Sequence, residues 1–271
     1  QTWTNHGLMF HADDLDQRLG RKMIKARFAD PTLQQLVAND PSRYNVDVYN
    51  MGVFRYESMY IGTPTMYYAT GPSADGTNTD GFHLVQLACS RDLKNWKRLG
   101  DRRPFIGPSR VGSGAYDLTG MIGPSNAVVR GDELWFYYTG IKYRAQPKDA
   151  DEKTGAVCLA VLRRDGFVSL NAGQESGEVT TKPVIASGDK LLLNLSVQDG
   201  GQARVELLGD GDKPIPGYGL ADCNPLTGDD VHQVVSWKSG TGISRLTGNS
   251  IRLKVELRDA DLYAFQFADG D

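Results

Sequence analysis

Cysteine is scarce in this chain: Cys89, Cys158 and Cys223 are the three in 271 residues. An odd number at such wide spacing excludes a dense disulfide framework and a paired C-x-x-C metal site, leaving at most one bridge. The four histidines, His6, His11, His83 and His232, share no H-x-x-x-H or H-x-H spacing, so no zinc site is expected. Positive charge is not in excess either. Lys+Arg 30 against Asp+Glu 33 gives a net charge of -3, which removes the usual electrostatic motive for nucleic acid or an anionic membrane and suits neutral or weakly charged ligands. The most apolar stretches, Leu191 to Leu195 and Leu134 to Tyr138, fall far short of the roughly 18 residues that a membrane-spanning helix requires. No G-x-G-x-x-G or P-loop run supports a nucleotide cofactor. An initiator Met and a charged-then-apolar leader are also missing, so a mature secreted or periplasmic chain, or a piece of a longer one, is expected, and Gln1 opening in mid-pattern favours the piece.

Glycine and turn residues are plentiful. Gly 31 and Pro 12, in a chain that is 40% hydrophobic and 23% charged, argue for a globular β-rich protein with many tight turns rather than for disorder or a coiled coil. An internal repeat organises the first part. Val53 to Ile61, Met66-Tyr67-Tyr68-Ala69-Thr70-Gly71 and Leu84 to Asp92 return about 70 residues later as Val128 to Gly140 and Ala156 to Phe167. Each unit reads as short strands rich in aromatic and β-branched residues, broken by turns such as Gly131-Asp132 and Asp165-Gly166. That pattern predicts propeller blades, which must stack on neighbours to bury both faces. Before the repeat, Leu15, Leu19, Met23, Ile24 and Phe28 have helical spacing, while Trp3 to Phe10 suits the last strand of a preceding blade.

Beyond about residue 170 the aromatic pairs vanish. Leu191 to Val197, Ala203 to Leu208, His232 to Trp237, Ile251 to Leu257 and Leu262 to Phe267 read as separate strands of a β-sandwich, with alternation in Arg204 to Leu207 and Arg252 to Leu257. The expected fold is therefore all-β: a partial five-bladed propeller over residues 1–171, with a short helical segment near its start, then a β-sandwich over 172–271.

The blade text Leu87-Ala88-Cys89-Ser90-Arg91-Asp92-Leu93-Lys94-Asn95-Trp96, with Trp135-Phe136-Tyr137-Tyr138-Thr139-Gly140, resembles the five-bladed propeller superfamily of glycoside hydrolases (families thirty-two, forty-three and sixty-eight). Arg164-Asp165-Gly166-Phe167-Val168-Ser169-Leu170, Thr181-Lys182-Pro183, Gly217-Tyr218 and Leu262-Tyr263-Ala264-Phe265 look like the sandwich of bacterial family thirty-two-like proteins. The resemblance runs from about residue 45 to the end. It implies hydrolysis of oligo- or polysaccharides by carboxylates from different blades, about 5 to 5.5 Å apart in a retaining enzyme and about 6.5 to 9.5 Å apart in an inverting one. A non-catalytic carbohydrate-binding module and a structural interaction protein are the competing classes. Some 170 residues are too few for five blades of roughly 40 to 50 residues each, so a homo-oligomer that completes the propeller is a further expectation.

The resemblance places axial carboxylates where Asp47 precedes its blade's first strand and where Asp117 stands before the next, although either also suits a turn aspartate bonded to backbone N–H groups. Glu57, among Tyr56, Met59 and Tyr60, is a candidate general acid raised by apolar neighbours, or a residue of a solvent-facing hairpin, as its counterpart Glu133 suggests. Tyr49, Tyr60, Tyr116 and Trp135 suit stacking on sugar rings or packing in the core. Asp13, with Asp14 and Asp16, suits sugar or a structural Ca²⁺, or the acidic first turn of a helix. Ser90-Arg91-Asp92 with Trp96 reads as a structural turn box, and Cys89 and Cys158 as small core residues of corresponding strands. Asp222-Cys223-Asn224 and Gly228-Asp229-Asp230 fit a cation or sugar loop, or a polar loop. No other cofactor or metal is expected.

Overall fold

The computed structural model describes residues 2–73, 76–144 and 153–270. With 47% strand and 11% helix it is mostly β, which fits the all-β expectation, and its strands form antiparallel sheets. The chain divides into two compact units, Gln1–Arg130 with Leu134–Val161, and Gly131–Glu133 with Leu162–Asp271.

The first unit opens on α1 (Asp14–Ala29), which starts where its capping residues require. The Asp13 carboxylate accepts from the N–H groups of Leu15 (2.9 Å) and Asp16 (3.1 Å), and Asp16 returns a carboxylate oxygen to the N–H of Asp13. The buried stripe is Asp16, Gly20, Ile24 and Arg27, one position along from the apolar spacing at Leu15 and Leu19. Gly20 is the reason. A Cβ there would stand 2.1 Å from Val46 Cγ2 and 3.4 Å from the Tyr68 ring, so the helix axis approaches the sheet at that residue. Gly20→Ala should lower stability by about 1–3 kcal/mol through overpacking, outweighing the ~1 kcal/mol that alanine adds as a helix former; a urea midpoint above wild type would refute the close approach. Upstream, Trp3 to Phe10 forms no strand, and Trp3 is 96% exposed. A strand needs a neighbour for its backbone groups, and among the described residues none pairs with this segment.

The first sheet comprises β1 (Asn45–Tyr56), β2 (Met59–Pro72), β3 (Thr79–Val85), β4 (Ala88–Ser90) and β5 (Lys97–Arg98), in the order β1-β2-β4-β5 with β3 also on β2. Val46 pairs with Tyr68 and Tyr68 with Phe82, so these three share one face. They bury against Ile24 of α1 with Met66 and Leu84; the Tyr68 and Phe82 rings are stacked at 4.8 Å. The next row, Asp47, Tyr67 and His83, occupies the other face. Between Val48 and Asn50 the ladder slips, leaving Tyr49 as the extra residue of a β-bulge.

The second sheet holds β6 (Gly120–Ile122), β7 (Val128–Arg130), β8 (Glu133–Ile141) and β9 (Gly155–Arg163), in the order β6-β8-β7 with β9 also on β8. The expected Gly131-Asp132 turn joins β7 to β8, with Gly131 at φ 59. Along β8, Leu134, Phe136 and Tyr138 are buried, while Trp135 and Tyr137 take the other face.

The second unit is built on β10 (Leu170–Ala172), β11 (Gly177–Thr180), β12 (Val184–Ile185), β13 (Lys190–Leu208), β14 (Asp229–Val234) and β15 (Ser250–Ala268). The order is β10-β15-β13-β14, with β11 and β12 also on β15. Here the sequence punctuation misleads. Leu191 to Val197 and Ala203 to Leu208 are one strand, as are Ile251 to Leu257 and Leu262 to Phe267. Gly200, at φ 81, takes part in a register slip between Val197 and Gln202 rather than ending the strand. The core gathers around Trp237, whose indole N–H donates to Val205 O (3.1 Å) and whose ring meets Tyr218 edge-on.

Candidate functional site

The face of the first sheet that turns away from α1 collects the polar and aromatic groups of that unit. Asp47, Tyr67 and His83 lie in one cross-strand row on β1, β2 and β3. Asp47 does not precede the first strand as expected but is the third residue of β1, paired with Tyr67; it is exposed and accepts from Asn45 Nδ2 at 2.5 Å. Alternation from Asp47 puts Tyr49 on the same face, with its ring edge-on to His83 (centroids 4.6 Å apart) and 6.5 Å from Tyr67. Tyr67 donates its hydroxyl to Thr79 O (2.7 Å) and accepts from Arg144 Nε (3.1 Å). The Arg144 guanidinium lies 4.5 Å over the Tyr67 ring and also donates to Thr79 O. It is thus held in place by an aromatic face and two hydrogen bonds.

His83 is 3% exposed, and neither ring nitrogen has a hydrogen-bond partner among the described residues. Burial, reinforced by the nearby Arg144 charge, lowers its pKa to about 3, so the imidazole is neutral at ordinary pH. On the same face, Asn50 Oδ1 is also buried without a partner among the described residues.

Asp117 stands on the segment that runs beside β3. Its neighbour Thr119 accepts from the His83 backbone N–H (2.8 Å), Arg27 donates to Leu118 O (2.7 Å), and Ser109 N donates to Asp117 O. The Asp117 carboxylate is 4% exposed and accepts from the Tyr138 hydroxyl at 2.6 Å. Burial and that carboxylate together push the Tyr138 phenol far up, and burial raises the Cys158 thiol beside it. Gly140 leaves the room: a Cβ there would stand 2.7 Å from Cys158 Sγ and 2.8 Å from Asp117 N. Asp47 and Asp117 therefore bound one strip of sheet from opposite ends. Three strand intervals, about 14 Å of backbone, separate the segments they belong to.

The other expected site residues fall elsewhere. Glu57 sits exposed at the β1–β2 turn with φ 50, and its carbonyl accepts from Arg55 Nε. Ten residues of strand, about 30 Å, separate it from Asp47, and no apolar wall surrounds it; the hairpin reading holds. Tyr60 pairs with Arg55 and Ser90 at that same far end. Trp135 projects from the face of β8 opposite Tyr138 and carries Arg130 over its ring at 4.3 Å. Tyr116 lies next to Asp117, under the Lys142 ammonium. Asp13 is committed to the helix cap and to both Nη atoms of Arg102 (2.5 and 2.8 Å), an ion pair that holds its carboxyl well below the usual range. Asp92 caps its own turn through the N–H groups of Lys94 and Asn95, and Trp96 Nε1 donates to Leu93 O, as the turn-box reading has it.

Among the described residues no group of three or more His, Cys, Asp or Glu side chains is placed to hold a metal ion, and the three cysteines are free thiols. No helix among them is long and apolar enough to cross a membrane. Tyr67, His83 and Arg144 were not among the expected site residues. The alternation Phe82-His83-Leu84 was the available signal, because it turns His83 away from the core that its two neighbours join.

No family model matches the chain, and no curated protein matches it. A solved structure named as a complex of BT0996 and RGII is similar at 18% identity over 54% of this protein and 42% of that one, with a TM-score of 0.32. The match spans less than half of that protein's length, and a score of this size does not establish a common fold.

Proposed function

We propose that the protein is a glycoside-hydrolase-like, carbohydrate-active protein that seats an oligo- or polysaccharide on the face formed by Asp47, Tyr49, Tyr67 and Arg144. One observation carries the reading: an exposed carboxylate and a 51% exposed tyrosine ring share a face with a guanidinium already held in place. Sugars present both an apolar C–H face and a rim of hydroxyls. An aromatic ring matches the first, and fixed charged groups match the second. The blade-like repeats support the same class. In the hydrolytic form Asp47 meets the substrate directly and Asp117 is the second carboxylate.

Asp117 is closed off by Tyr138, an observation that favours a second reading, a carbohydrate-binding module without hydrolysis. Reducing-sugar release and affinity electrophoresis on arabinan, levan, inulin and xylan, run on wild type, Asp47→Asn and Asp117→Asn, separate the two. The hydrolase reading expects release that falls by roughly a hundredfold or more in each variant, the scale of a lost acid–base group. Retardation without release in any form supports the module, and release untouched by either substitution sinks this site.

A further inference from the structure

Asn50 Oδ1 and both nitrogens of His83, buried polar atoms of this face that lack partners among the described residues, are the feature that the site as described leaves without a role. A buried, unpaired polar group costs stability, and here the histidine belongs to the cross-strand row that begins at Asp47. The ring against it is also unusual. Tyr49 is the extra residue of a bulge, contributes no pairing to the β1–β2 ladder, and stands edge-on to His83 with half its surface exposed. Bulges cluster beside functional sites.

We propose that His83 is the hydroxyl-recognising, specificity-determining residue of the saccharide site, and that Tyr49 covers it until a ligand is seated; the inference rests on the carbohydrate reading above. A neutral imidazole carries one donor and one acceptor. A sugar hydroxyl is both, so it satisfies either nitrogen. Tyr67 and Arg144 form the remaining walls and fix the depth at which the hydroxyl meets the ring.

Because the ring nitrogens make no hydrogen bond among the described residues, the fold and the ligand respond to their loss in opposite ways. His83→Leu is expected to keep a urea midpoint no lower than wild type. Its affinity for the best-bound of arabino-, fructo- and xylo-oligosaccharides should nevertheless fall roughly tenfold or more, the scale of one neutral hydrogen bond lost in a dry site. Among monodeoxy analogues of that sugar, one should bind wild type correspondingly weakly yet bind His83→Leu as well as the parent does. His83→Gln, which keeps a donor and an acceptor, should retain more affinity than His83→Leu. Tyr49→Ala should make His83 reactive to diethyl pyrocarbonate, from which wild type protects it.

Unchanged affinity in His83→Leu alongside lost affinity in Asp47→Asn overturns the role of His83 and leaves the site standing. A lowered urea midpoint in both His83→Leu and His83→Gln assigns the ring to the core and overturns it as well. His83 that stays unreactive in Tyr49→Ala removes the cover, and no binding of any of the three sugar series by wild type removes the carbohydrate reading together with this one.

Discussion

Asp16→Ala is expected to destabilise the first unit by about 3–5 kcal/mol, the cost of stripping one partner from a buried ion pair. Asp16 is 2% exposed, and its two oxygens accept from Arg98 Nη2 and Nη1 at 2.9 Å each. Arg102 Nη1 stands 3.1 Å from the same carboxylate. Arg98 is itself nearly enclosed. Its guanidinium covers Phe10 and bonds to Gln86, which donates in turn to the hydroxyl of Tyr68 in the helix-facing core. Alanine leaves the Arg98 charge in that setting with no carboxylate, whereas Arg102 keeps Asp13. Asp13→Ala should therefore cost less, about 1 kcal/mol for a lost helix cap together with a half-exposed ion pair. Urea denaturation and amide exchange in β1–β3 measure both. An Asp16→Ala penalty no larger than that of the solvent-exposed pair Arg103–Asp101, where little is expected, would show that the burial carries no energetic weight.

The second large effect is on pH. The His83 pKa is lowered to about 3 in the folded protein, first by burial and then by Arg144, against about 6.5 in an unfolded chain. Between those values the unfolded state binds a proton that the native state refuses. Stability contributed this way is thus complete above about pH 6.5 and falls as pH drops, by up to about 1.4 kcal/mol per pH unit. From pH 6.5 to 4.5 the fall amounts to roughly 2–3 kcal/mol. The depressed carboxylates of Asp13 and Asp92 act in the same direction but at lower pH, because their unfolded values lie near 4. The difference between wild type and His83→Leu isolates the histidine: wild-type stability should slope through this window while the variant stays nearly flat. Parallel curves would mean that His83 is protonated in the native state.

Much of the first unit was legible because its signals are local. Asp13 and Asp16 form a capping box, and Gly131-Asp132 and Asp92-to-Trp96 specify their turns whatever surrounds them. The aromatic strands β2 and β8 stand out for the same reason. The long strands β13 and β15 were not legible as single elements. Their breaks at Gly200-Gly201 and Asp259 look like hairpins to a local reading, and only the pairing of one strand with the other across the whole length keeps each continuous.

The candidate site divides along the same line. Asp47 and Asp117 were expected from the resemblance and their place in the repeat, and Tyr49 as one of four aromatic residues suited to stacking on a sugar. His83 comes from β3 and Arg144 from just beyond β8, and both join Tyr49 only through the folding of the strands. The bulge hid the rest. Strict alternation would send Asn50 to the core face with Val46 and Val48, whereas the slipped register pairs it with Thr65 on the face of Asp47.

That slip gives β1 an asymmetry between substitution and deletion. The partners on either side, Val48 with Met66 and Asn50 with Thr65, are already consecutive on β2. Excising Tyr49 from the chain would close an uninterrupted ladder and turn no other side chain to the opposite face. A deletion inside a strand ordinarily inverts everything that follows it. Here the ladder makes no use of the residue, and its removal would take from the sheet only the ring that stands against His83.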